Sequence, residues 1–134
     1  MEPTPSLTID TVSAAVNGST EALTAVGRAP HHELLAASSE SPLVLGRDAV
    51  AAVLDGMAAG SVSGADAQAW ASFVRWGYIN PEPGGTRPLS IDYDPTAEDA
   101  IVEGVGRLDE IGDLIDGEVP GPDELANLRA ALYT

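Results

Sequence analysis

Apolar residues recur at helical spacing along most of this chain, and a glycine or proline interrupts nearly every run. The longest stripe is Ile101, Val105, Leu108, Ile111 and Ile115, spaced 4, 3, 3 and 4 apart, which is one face of a four-turn helix. Asp94 suits its N-cap and Pro95 its first turn, Glu98 and Asp99 meet the positive end of its dipole, and Gly117 ends it. Val50, Val53, Leu54 and Met57 mark another helix, from about Leu45 to Ala59, stopped by Gly60. Ser63-Gly64-Ala65-Asp66 resembles a capping box, opening a helix that carries Trp70, Phe73 and Val74 on one face and stops at Gly77. The short link between these two helices predicts antiparallel neighbours. Pro122 starts a last helix with Leu125, Leu128 and Leu132 inward.

Upstream, Ile9, Val12, Val16, Leu23 and Val26 fit two shorter helices, with Gly18 as the stop between them and Ser19 or Thr20 as the new cap. Pro30 precedes a short helix from His31 to Ala37, and Ser38 to Pro42 reads as loop. Asn80 to Pro88 holds three prolines and two glycines and is irregular. Leu89 to Tyr93 alternates apolar and polar, but a lone strand has nothing to pair with, so it too reads as loop. The expected architecture is all-α: a flexible tail over residues 1–6, then one helical domain over 7–134. Four main helices form a bundle, with the short N-terminal helices packed on it.

Charge narrows the function. The 134 residues include 21 acids and six arginines, with no lysine and no cysteine, for a formal charge of −15. Absent cysteine excludes disulfide scaffolds, thiolate metal sites and thiol nucleophiles. Direct binding to nucleic acid or to anionic lipid needs clustered cations, and no two arginines are adjacent. No apolar run approaches a membrane span, and the acidic, Pro-containing start is unlike a secretion signal, so a cytoplasmic location is expected. The asymmetry is sharper than the total. Residues 1–91 hold nine acids and four arginines, net −5; residues 92–134 hold twelve acids and two arginines, net −10.

Within that acidic third, Asp109, Glu110, Asp113, Asp116 and Glu118 stand together, and a continuous helix would put Asp109, Asp113 and Asp116 on one face. Like charges at that spacing repel, and acids at a helix C-terminus oppose its dipole. Arg107, four residues after Glu103, is the nearest local counter-ion. Such a face is expected to meet a basic partner, with Asp92 and Asp94 extending it, and with Trp76 and Tyr78 as aromatic contacts if they do not pack under the Pro-rich loop. A metal reading competes: Asp92, Asp94, Thr96, Glu98 and Glu103 follow EF-hand spacing, but Ala97 replaces the loop glycine and Pro95 intrudes. His31 and His32 are adjacent, cannot share a metal in the i, i+4 manner, and read as surface histidines. No phosphate loop, nucleophile elbow or dinucleotide fingerprint is present, so no cofactor and no catalysis are expected.

Gly60-Ser61-Val62-Ser63 leading into a helix with Trp70-Ala71, then Leu114-Ile115-Asp116-Gly117 closing a long helix, then a Leu-rich terminal helix resemble small bacterial immunity proteins of colicin and polymorphic-toxin systems, over about residues 45–133. The resemblance implies a small acidic helical bundle that binds a cationic nuclease toxin and occludes its active site without catalysing anything. The expected function is therefore an immunity protein or antitoxin. The alternatives are a nucleic-acid mimic that inhibits a DNA-binding enzyme, or a metal-binding or enzymatic helical protein using Asp92, Asp94, His31 or His32.

Overall fold

Short polar side chains open three of the helices by taking up an orphan backbone N–H. Thr8 Oγ1 accepts from Thr11 N–H at 3.4 Å to start α1 (Ile9–Val16), and Ser19 Oγ accepts from Ala22 N–H at 3.1 Å to start α2 (Thr20–Gly27). Ser63 Oγ accepts from Asp66 N–H at 3.1 Å to start α5 (Gly64–Trp76). The computed structural model describes residues 8–38, 43–79, 88–112 and 118–133. Its remaining helices are α3 (His31–Ser38), α4 (Arg47–Ala59), α6 (Glu98–Asp109) and α7 (Pro122–Ala131). The described chain is thus mostly helical, and α4 to α7 are its longest elements. Gly60 and Gly77 end α4 and α5 with φ of 81° and 78°, the left-handed geometry that a Cβ resists.

Two strands interrupt the helices. Leu43–Leu45 (β1) pairs in parallel with Ile91–Tyr93 (β2), in the register Leu43↔Ile91, Val44↔Asp92, Leu45↔Tyr93. The loop expected over Leu89 to Tyr93 is therefore partly a strand, and the helix expected from Leu45 starts at Arg47. The missed partner lay 48 positions upstream, a pairing that no local pattern announces. Leu43 and Leu45 are buried while Val44 is exposed, so the sheet presents one face to the core.

One cluster of buried residues joins these elements, with Trp70, Phe73, Leu54, Ile101, Leu108 and Leu132 among its largest members. Trp70 is 2% exposed, and its Nε1–H donates to the Val16 carbonyl at 3.1 Å. That bond satisfies one of the carbonyls that α1 leaves without an intrahelical partner. The closest helix pairs are α5 with α6, α1 with α2 and α4 with α7; α4 and α5 touch far less than their short link implied. Among the described residues no helix is long and apolar enough to cross a membrane.

The longest expected helix is shorter at both ends. Asp94 does not cap it: its Oδ1 accepts from the Thr96 N–H at 3.0 Å and hydroxyl at 2.7 Å, a turn of its own, and Ala97 is the N-cap. At the other end α6 stops at Asp109, Glu110 is the C-cap, and Gly112 takes φ of 91°. Gly112 turns left-handed two residues past that C-cap. The tail at 1–6, the loop at 80–87, Ile115 and Gly117 lie outside the described residues. His31, expected at the surface, is 2% exposed and meets Tyr78 edge to face with ring centroids 6.3 Å apart. His32, next to it, is exposed.

A Cβ at Gly77 would stand 2.8 Å from Leu89 O and 2.9 Å from Leu89 N, whereas one at Gly60 meets nothing within 4 Å. Gly60→Ala carries only the left-handed penalty of about 1–2 kcal/mol. Gly77→Ala adds a backbone clash and is expected to lose about 3 kcal/mol or more, separable by urea denaturation.

Candidate protein-binding surface

At 100° per residue, the stripe Ile101, Val105 and Leu108 turns α6 inward, and Asp109, four residues after Val105, borders that buried stripe. It faces the end of α5. Asp109 Oδ2 accepts from Arg75 Nη1 and from Trp76 Nε1, each at 3.0 Å, and Oδ1 accepts from Gln68 Nε2 at 3.3 Å. Its side chain is only 11% exposed. The expectation that Asp109 forms an acidic face for a partner is overturned: the carboxylate is spent inside the chain. Asp113 and Asp116, expected on the same face, lie outside the described residues, and α6 itself ends at Asp109.

The other expected contacts are held in different ways. Glu110 is exposed at the α6 C-cap, and Asp92 is exposed on β2. Asp94, partly exposed, is held by Thr96 and lies 4.0 Å from Arg47 Nε. Its carboxyl titrates below the ordinary value, first because the Thr96 hydroxyl and then because the Thr96 N–H bond the charged form. Glu118 is exposed, and its carbonyl accepts from Arg107 Nη2 at 2.8 Å. Arg107 does not turn to Glu103; its Nε and Nη2 bind the two Glu124 oxygens at 2.7 and 3.2 Å, joining α6 to α7. The EF-hand spacing places no metal loop, since its residues run from β2 through a turn into α6. Among the described residues no three His, Asp or Glu gather as a metal-holding group.

Trp76 is 50% exposed, with the Arg75 guanidinium 4.9 Å from its ring centroid. Tyr78 is half-buried against His31, and with Trp76 it lines one of the clefts at the end of α5. Arg75 and Trp76 form the ridge between three shallow clefts of about 430, 460 and 520 Å³. Tyr93 lies beside the ridge with its hydroxyl donating to the Val74 carbonyl at 3.3 Å; burial raises its phenol above the ordinary value while the Arg75 charge opposes that rise.

The acids left outward are different ones. Glu98, Asp99, Glu103 and Glu110 are exposed on the outer arc of α6, around a Val102 that is 52% exposed. Among the described residues no ion pair engages these four carboxylates. Four of the six arginines are occupied elsewhere: Arg47 with Asp94, Arg75 with Asp109, Arg107 with Glu124 and Arg129 with Asp55. Arg75 was the missed residue. Its position in the last turn of α5, where a cation suits the dipole, was the available signal.

Asp109→Ala strands three donors and is expected to destabilise the fold by about 1–3 kcal/mol, whereas Glu110→Ala stays within about 0.5 kcal/mol. Denaturation followed by tryptophan fluorescence reads both, since Trp76 loses its acceptor only in the first variant. Thr96→Val removes the hydroxyl bond and is expected to raise the Asp94 pKa toward the ordinary carboxylate value in an NMR titration. Stability drawn from a lowered Asp94 pKa is present above its unfolded pKa and declines as pH falls through the folded one.

Comparison with protein-family models, with curated proteins and with solved structures finds no match to this chain.

Proposed function

We propose that this protein is a non-enzymatic binding protein for a basic macromolecule, acting as an immunity protein or antitoxin that occludes a cationic nuclease-type toxin domain. One observation carries the reading: the outer arc of α6 holds Glu98, Asp99, Glu103 and Glu110 exposed, while four of the six arginines are tied to other carboxylates. Surplus negative potential gathered on one helix raises the rate of encounter with a positive cleft. Val102 and Trp76, both about half exposed, add apolar area beside those charges, as the centre of a protein interface requires. A helix of twelve residues is about 18 Å long. Carboxylates confined to that length suit one basic cleft better than the long groove that a nucleic-acid mimic must fill.

The partner is sought as a basic nuclease-like domain encoded beside this chain, tested by co-expression and by association kinetics at several salt concentrations. Glu103→Lys with Glu110→Lys is expected to slow association at least about tenfold at low salt and to flatten the salt dependence, leaving the folded state intact. Association that ignores the double reversal would remove the α6 face from the interface. A complex that leaves nuclease activity untouched would overturn the inhibitory role.

A further inference from the structure

The ladder between β1 and β2 fixes where the main-chain groups of β2 point. Val44 pairs with Asp92, and the Asp94 N–H donates to the Leu45 carbonyl at 3.0 Å. In a parallel ladder alternate residues turn both main-chain groups toward the partner strand. Asp92 and Asp94 therefore face β1, and Ile91 and Tyr93 turn their N–H and C=O groups to the opposite edge. Among the described residues no hydrogen bond engages those four groups. The edge borders the 520 Å³ cleft, which Ile91, Asp92 and Tyr93 wall on one side and Arg75 and Trp76 on the other. An open strand edge is a template for another extended chain.

We propose that an extended segment of a basic partner protein docks in this cleft and adds to β2 as a third strand. The open donors and acceptors of Ile91 and Tyr93 call for an extended backbone, which alone meets them at strand spacing. Charge selects the partner. Asp92 is exposed on the strand and Glu98 is exposed at the cleft rim, while Arg75, the cation in the cleft wall, is already held by Asp109. Arginine or lysine on one face of the segment would pair with Asp92 and Glu98. Side chains on its other face would lie against the exposed half of Trp76. A second copy of this chain is a poor occupant, because edge-to-edge pairing brings carboxylates against carboxylates.

The inference rests on the reading of the protein as a binder of a basic partner and narrows that reading to one strand edge. The probe is a capped pentapeptide of alternating arginine and valine, titrated into the isotopically labelled full chain at low salt and followed by NMR and amide exchange. Docking is expected to shift the Ile91 and Tyr93 amide signals and to slow their exchange. N-methylating the peptide backbone, which keeps its charge, is expected to weaken binding at least about tenfold, and Asp92→Lys to do the same. Shifts confined to the outer arc of α6, or equal binding of the N-methylated peptide, would overturn strand addition while leaving the affinity for basic partners standing. Absence of any binding would sink strand addition, and the co-expression experiment would then decide the wider reading alone. Edge shifts that grow with protein concentration without peptide would assign the edge to a second copy and overturn the basic occupant.

Discussion

The carboxylate of Asp109 is the point on which the functional surface turns. Lying at the C-terminal end of α6, it opposes the helix dipole and would be unfavourable alone. Three donors from α5 reverse that balance, and they do so where the chain makes its most extensive helix–helix contact. The same bonds hold Arg75 and Trp76 at the surface in fixed positions. A bond that looks like part of an acidic face therefore organises the ridge between the clefts.

Allocation of the arginines decides what remains outside. With so few cations against 21 acids, each internal ion pair removes a scarce positive charge from the surface. The four pairs described join different elements: Arg107 links α6 to α7, Arg129 links α7 to α4, Arg75 links α5 to α6, and Arg47 links α4 to the turn before α6. The more exposed of them, Arg129 with Asp55 and Arg47 with Asp94, contribute little stability one by one. The larger effect of the four is on the charge left over: among the described residues no ion pair neutralises the carboxylates on the outer arc of α6.

Much of the helical pattern was legible locally. Ser19 and Ser63 as caps, Gly18, Gly60 and Gly77 as stops and Pro122 as a start are each settled by interactions within a turn or two. Asp109 was partly legible, since it continues the spacing of Ile101 and Val105 at four and eight residues. Charge drew it to the acidic run, although periodicity already placed it beside the core. Gly112 was the unread signal: apolar residues on both sides of it kept the helical spacing going on paper, although the helix ends at Asp109 and the backbone turns left-handed at this glycine.

By itself the sequence determined a lysine-free, acidic chain of short helices with capped starts and glycine stops, because these properties depend on neighbours within a few residues. Only the tertiary structure decided that β1 and β2 pair across 48 positions, that His31 is buried against Tyr78, and that Asp109 belongs to Arg75 and Trp76. Those outcomes depend on which elements meet in space. Long-range pairing and charge neutralisation are set by packing of the whole core, and a residue's neighbours along the chain carry no record of them.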